Sequence, residues 1–260
     1  MSSDAPAPVR LQRESGVTEI VLSTPERGNV IDQYWAEAFH TAVSSVGDAD
    51  RCVLLRSEGR NFCLGGDVTT FGGDDPGRSV HALADRFHDG IRALDAVTVP
   101  VVAAVQGWAA GAGFSLALAA DLLVIGQSTR FVTAYNALGL TVDGGLSWQL
   151  SRRLAPAVAF DLLLTDRALD AGEALDLGLA SRSVADDDLT AVARELARGI
   201  ADRSRHAAVA VKHLARTAHG HDLATHLDAE RDSIAAAASG ADGREGVAAF
   251  VERRAPRFTG

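Results

Sequence analysis

Apolar and polar positions alternate from Val9 to Glu14 and again from Val17 to Leu22, on either side of Gly16, which predicts two antiparallel strands joined by a tight turn. Thr24-Pro25 ends the second strand. Beyond the loop 26–31 the period changes: Trp35, Ala38, Phe39, Ala42 and Val43 recur at helical spacing, with Asp32 placed to cap the helix. The unbroken apolar run inside Arg51–Arg56 predicts a buried strand, and Val80–Leu94 returns to a helical period after the Gly- and Asp-rich loop 71–79, which reads as mobile. Val101–Val105 is the next β-branched run. It is followed by three glycines, Gly107, Gly111 and Gly113, and by the small-residue helical segment Phe114–Ala120. Strands are expected at Leu122–Ile125 and Ser181–Val184, with a short apolar segment around Phe131. Helices are expected at Leu146–Leu154, Pro156–Leu164 and from Asp170 to about Gly178. From Asp187 onward the pattern is helical throughout, over Leu189–Ala201, Ala207–His219, Leu223–Ala238 and Gly243–Arg254.

Strand-then-helix units through the first two thirds predict an α/β core with much of its sheet parallel. The Ala-rich C-terminal helices carry wide apolar faces, more than a small domain leaves in water, which argues for contact between subunits. The expected division is a tail over 1–8, a core over 9–200 and a helical region over 201–260.

Composition narrows the function classes. The 260 residues suit one large domain, and 25 basic against 34 acidic side chains leave a net charge of −9 with no basic run able to track a phosphate backbone, so nucleic acid is not expected as a partner. The two cysteines, Cys52 and Cys63, sit in or beside apolar runs, and the opening segment lacks the apolar block of a secretory signal. Reduced thiols and a cytoplasmic location are therefore expected. The stretch 108–126 is apolar enough to suggest a membrane span, but Asp121, the glycines and a second β-type run inside it favour a buried strand, helix and strand.

The glycine loop at 107–113 is the centre of the candidate chemistry, because glycine permits close approaches that let bare N–H groups face an anion or a developing oxyanion. Two other readings of it fail on spacing. A dinucleotide loop would need a glycine where Leu116 stands and an acidic residue after the next strand. A nucleophile elbow at Gly113–Ala117 would need Ser115 on a tight turn directly after a strand, whereas Ser115 falls inside a helix.

Five motifs in order then mark a resemblance. Pro25-Glu26-Arg27-Gly28-Asn29, the F-x-x-G-x-D run Phe62-Cys63-Leu64-Gly65-Gly66-Asp67, the loop Val105–Gly113, Leu175-Asp176-Leu177-Gly178-Leu179 and the ending Glu245–Arg254 together resemble the crotonase, or enoyl-CoA hydratase/isomerase, superfamily almost end to end. The resemblance implies a spiral of ββα units holding an acyl-CoA thioester, and a C-terminal helical region packing trimers, often paired into hexamers. Coenzyme A would be part of the substrate; no separate cofactor or metal is implied. By motif position, the N–H groups of Gly66 and Ala112 would hold the thioester oxygen, each worth about 3 kcal/mol as charge develops there. Arg27, Gly65, Asp67 and Val68 would line the coenzyme A groove, and Phe250 and Arg253 would reach a neighbour's nucleotide.

Departures from the pattern bear on the reaction. The two glutamates of hydratases match Ser115 and Tyr135 here, and neither is a carboxylate base, so simple hydration is disfavoured. Asp143 stands where several isomerase-like members place their acid. Taken alone, an Asp before Gly144-Gly145 and an apolar helix reads as an N-cap; in the family context it reads as the acid/base. An acyl pocket from Leu64, Trp108, Phe114, Ser115, Tyr135 and Leu138 would surround it. The expected reaction moves a double bond from 3-enoyl- to 2-enoyl-CoA, or isomerises a ring-epoxide acyl-CoA, through an enolate. Two alternatives stay open: a haloaryl-CoA dehalogenase with Asp143 as nucleophile, and an acyl-CoA-binding homologue without chemistry.

Overall fold

The computed structural model describes residues 7–72 and 74–259. Most of the tail expected over 1–8 thus lies outside the described residues. Strands β1 (Val9–Glu14) and β2 (Val17–Leu22) pair antiparallel, and the turn between them places Ser15 and Gly16 at φ 51° and 77°, the left-handed pair that matches the twist of a two-residue hairpin. Helix α1 (Gln33–Ser44) starts where Asp32 accepts a hydrogen bond from Trp35 N at 2.8 Å, and buries Trp35, Ala36, Phe39, Ala42 and Val43. Strand β3 (Cys52–Ser57) then lies parallel to β2.

Helix α2 (Pro76–Ala96) begins earlier than its apolar period suggests. Asp75 caps it, accepting from Arg78 N, and Pro76 supplies a first-turn φ that needs no N–H partner. The chain continues through β4 (Val101–Val105), β5 (Trp108–Ala110), α3 (Ala112–Leu118), β6 (Leu122–Gly126), β7 (Arg130–Val132), α4 (Leu146–Arg153) and α5 (Pro156–Thr165). It ends with β8 (Leu169–Asp170), α6 (Ala171–Asp176), β9 (Arg182–Val184), α7 (Leu189–Ala201), α8 (Arg205–Thr217), α9 (Leu223–Ser239) and α10 (Ala241–Glu252).

Two sheets result, ordered β1-β2-β3-β4-β6-β9 and β5-β7-β8. All neighbours from β2 to β9 in the larger sheet are parallel. The chain leaves β4 for β5 in the small sheet and returns through α3 to β6, then repeats the move through β7. In the preceding turn Cys63 takes the small-sheet position by bridging to Ala109. That repeated strand, strand and helix is the ββα spiral. The central strands are apolar on both faces, as buried parallel strands are. Val53 and Leu55 face the main core, while Cys52 and Leu54 face α7, which presents Leu189, Ala193, Ala197 and Ala201 at four-residue steps.

The C-terminal helices are pinned to this core by a buried cation. Lys212 on α8 places Nζ 2.7 Å from Asp121 Oδ2 and donates to Val99 O at 2.8 Å, and Arg216 donates to the other Asp121 oxygen at 2.8 Å. Asp121 itself accepts from Val101 N, so one carboxylate ties α8 to the start of β4. Both cysteines are free and buried, and burial pushes each thiol up to about 12, so neither is a thiolate at neutral pH. Among the described residues no helix is long and apolar enough to cross a membrane.

Candidate active site

Backbone hydrogen bonds stitch three loops into one wall. Asn29, fully buried, donates from Nδ2 to Glu58 O and Asn61 O, joining the first loop to the second. Leu64 N donates to Gly28 O, Ile31 N to Gly65 O and Asp67 N to Ile31 O. Cys63 N donates to Trp108 O and Ala110 N to Cys63 O, joining the second loop to the third. On either side of Gly66 and Ala112 the chain is committed in this way. Among the described residues, the N–H groups of Gly66 and Ala112 themselves donate to no protein atom.

The closeness of the two loops depends on glycine. Gly65 has φ +93°, and a Cβ there would stand 2.8 Å from Ala110 O and 3.5 Å from Ala112 N. The bare Gly65-Gly66 segment therefore lies directly against the first N–H of α3. Ala112 stands outside the left-handed region, so its methyl group brings no backbone strain.

These donors face a cavity of about 400 Å³. Its walls are apolar, with Leu64, Val68, Leu138 and Leu140 from loops, and Val80, Leu83, Ala84 and Phe87 from α2. The α2 wall is absent from the sequence-based expectation. Its signal was present in the spacing 80, 83, 84 and 87, which marks one helix face but cannot say that the face borders a hollow.

Asp143 is the one carboxylate among the described lining residues. Tyr135 OH donates to its Oδ1 at 2.5 Å. Burial, then the charge and the acceptor oxygen of Asp143, push the Tyr135 phenol well above its usual range, so it stays a neutral donor. Asp143 Oδ2 lies 3.5 Å from His88 Nε2, which accepts the Gly144 N–H at 3.0 Å. His88 follows Ala84 by four residues on the cavity side of α2, and sequence reasoning missed it. The capping alternative for Asp143 fails: α4 has Gly145 at its N-cap with no side-chain cap bond, and Leu146 N reaches the Asp143 main-chain oxygen instead.

Three members of the expected acyl pocket stand elsewhere. Phe114 is fully buried in the core, its ring 4.8 Å from Phe131, because the face of α3 that carries it turns towards the small sheet. Trp108 does not line the cavity: Ala109 is the inward residue of β5, and strand alternation sends Trp108 the other way. Ser115 lies behind the wall, fully buried, and braces it by donating from Oγ to Asp143 O at 2.9 Å. Leu64, Tyr135 and Leu138 do border the cavity, as do Gly65 and Val68.

Arg27 is already engaged, 2.7 Å from Asp32 Oδ2 and 2.9 Å from Asp67 Oδ2. Asp67 also accepts from the Thr69 hydroxyl and N–H, which with Arg27 hold its carboxyl below the usual range against the opposing effect of burial. Phe250 is 86% exposed on α10 and Arg253 follows at its C-cap, and neither borders the cavity. Among the described residues no group of three or more His, Cys, Asp or Glu could hold a metal ion.

An apolar cavity with two bare amides at one wall and one carboxylate at another, built on a ββα spiral, defines a protein that handles an activated acyl group. The family model for enoyl-CoA hydratase/isomerase matches residues 12–260, and the chain belongs to that family, the crotonase superfamily. It is 36% identical over 252 residues to a 1,2-epoxyphenylacetyl-CoA isomerase of Escherichia coli K12, covering 95% of this chain and 96% of the relative. Among solved structures it is similar to an enoyl-CoA hydratase from Polaromonas sp. JS666, at TM-score 0.91 and 32% identity over 96% and 99% of the two chains. It is also similar to a Thermobifida fusca YX protein, assigned as an enoyl-CoA hydratase and solved with acetoacetyl-CoA, at TM-score 0.82 and 30% identity over 88% and 94%.

Proposed function

We propose that this enzyme is an acyl-CoA isomerase that shifts a double bond, or rearranges a ring epoxide, through an enolate with Asp143 as the single acid and base. The observation that carries the reading is that Asp143 supplies the only carboxylate on the described cavity wall, while the positions matching the hydratase glutamates hold Ser115 and Tyr135. On a 3-enoyl ester Asp143 takes the proton from C2, the N–H groups of Gly66 and Ala112 carry the charge that appears on the thioester oxygen, and Asp143 returns the proton at C4 as the double bond moves to C2–C3. Tyr135 keeps the carboxylate aimed while it exchanges that proton. The likeness to a 1,2-epoxyphenylacetyl-CoA isomerase supports a ring-bearing acyl group as one substrate class.

A panel of 3-enoyl-CoA, 2-enoyl-CoA and ring-epoxide thioesters, assayed by absorbance and mass, tests the reading. Isomerisation of a 3-enoyl or ring-epoxide ester is expected, with solvent deuterium at C4 of the 2-enoyl product in heavy water and C2 exchange in recovered substrate. Hydration of 2-enoyl-CoA as the fastest reaction, or binding without exchange at C2, refutes it; the second result marks a homologue without chemistry.

His88 favours one second reading. If Asp143 Oδ2 displaced halide from an activated haloaryl-CoA, the resulting aryl ester would need a water to release it, and the His88 imidazole 3.5 Å from that oxygen could take the water's proton once its Nε2 gives up the Gly144 N–H that it now accepts. A covalent adduct on quenching with a haloaryl-CoA, found by mass spectrometry, separates the two.

For coenzyme A we propose the groove beside Arg27, Gly65, Asp67 and Val68. Two carboxylates already offset the charge of Arg27, so Arg27→Ala is expected to weaken acyl-CoA binding by only about threefold, with kcat unchanged, by titration calorimetry and steady-state kinetics. The exposed apolar residues Leu223, Leu227, Ile234, Val247, Phe250 and Val251 on α9 and α10 support assembly into a trimer or a dimer of trimers, with Phe250 and Arg253 facing a neighbour.

A further inference from the structure

Asp166 stands outside the cavity, just past the end of α5, with φ 53°. A left-handed backbone is unfavourable for an L-residue with a side chain, and such conformations persist where surrounding contacts over-determine them. The compensation comes from the facing loop. The Asp166 carboxylate accepts from the Thr133 hydroxyl, from Tyr135 N at 3.3 Å, from Asn136 Nδ2 at 3.3 Å and from Ala137 N at 2.9 Å. Asn136 Nδ2 also donates to Leu163 O at 2.7 Å, back on α5. All of these donors belong to residues 133–137, a stretch that contains another left-handed position, Ala134 at φ 57°, and carries Tyr135 to the cavity. Burial raises the Asp166 carboxyl, and the four hydrogen bonds together outweigh it and hold the group below its usual range.

From this geometry we infer that Asp166 is the positioning residue that fixes the Tyr135 hydroxyl on Asp143. A carboxylate offers about four acceptor sites and no donor, which suits four converging donors. An amide in its place would turn an NH₂ group against at least one of them. Side-chain contact between Asp166 and the substrate is not involved; its effect passes through the loop backbone. The consequence for turnover rests on the reading of Asp143 as the acid and base, whereas the effect on Tyr135 does not.

The test separates those two. The chain has only two tyrosines, Tyr34, which is 64% exposed, and Tyr135, so labelling tyrosine Cζ with carbon-13 gives two resonances, assigned by Tyr135→Phe. In the wild-type protein the Tyr135 resonance is expected to stand apart from its position in Asp143→Asn, a step that marks the hydroxyl donating to a carboxylate. In Asp166→Asn, and in Asp166→Gly, which relieves the left-handed backbone while deleting every acceptor, that step should vanish with circular dichroism unchanged. If either folded variant keeps the same step at full amplitude, the inference is overturned, whether or not the enzyme turns over. If both variants unfold, Asp166 is a fold residue and the inference is overturned as well. With a substrate in hand, Asp166→Asn should lower kcat about tenfold, with KM within about twofold, and add nothing further in a Tyr135→Phe background. A full additional loss in that background would show that Asp166 acts by another route.

Discussion

Replacing Asp143 by Asn is expected to lower kcat for isomerisation by about a thousandfold or more while leaving acyl-CoA binding within about twofold. The amide keeps the shape of the side chain, and its oxygen can still accept from Tyr135, so the loop retains that contact of 2.5 Å. What is lost is the capacity to hold a proton between C2 and C4, because an amide is not a base near neutral pH. Stability should change little, since the carboxylate makes no cap bond to α4 and is partly exposed to the cavity. The contrast between binding and turnover is the informative part. The Gly66 and Ala112 N–H groups stay in place, so the ground-state carbonyl oxygen is still received, and only the proton transfer fails. Calorimetric titration with a non-reactive acyl-CoA, set beside single-turnover assays and C2 exchange in heavy water, checks both halves. Retained exchange would remove Asp143 from the reaction; lost binding would make it a structural residue.

The parts of this arrangement that were legible in the sequence are those governed by local chemistry. The alternation at 9–22, the Asp32 cap, the β-branched runs and the Ala-rich helices each specify their element through neighbours a few residues away, and the structure has them there. The glycine loops could be located for the same reason. Their mutual contact could not be derived from local pattern, and came from the family's motif order. The short strands β5, β7 and β8 were harder to see, since three residues or fewer carry no period, and they exist only because the small sheet pairs them across 20 residues or more. The same limit explains Phe114 and Trp108. Both sit beside the central loop in sequence, which places their backbones near the cavity but does not decide which way the side chains turn. His88, Phe87 and Asp166 come from elements distant in sequence, and each reaches the site region through packing that no local pattern records.

Gly113→Ala should be among the most damaging small substitutions in the chain, because the added methyl group has no flexible neighbour to displace. Gly113 lies in the first turn of α3, and a Cβ there would stand 2.2 Å from Cys63 O and 2.8 Å from Cys63 C. Both are backbone atoms, and that same Cys63 carbonyl accepts the Ala110 N–H that joins the second loop to the third. The helix must therefore back away from the loop, which breaks this hydrogen bond and moves Ala112 N away from Gly66 N. A loss of about 3 kcal/mol in stability is expected from overpacking against rigid backbone, and kcat/KM should fall about a hundredfold as one oxyanion donor leaves its place. Gly178→Ala serves as the comparison. Its φ of +74°, unlike the helical backbone of Gly113, is foreign to alanine, but nothing lies within 4 Å of the added carbon. Only the backbone cost of about 1 kcal/mol should appear there, with kcat/KM unchanged. Urea unfolding and steady-state kinetics on the two variants separate a strained backbone from a displaced donor. Equal activity in both would mean that the closeness of α3 to the Cys63 loop has no part in catalysis.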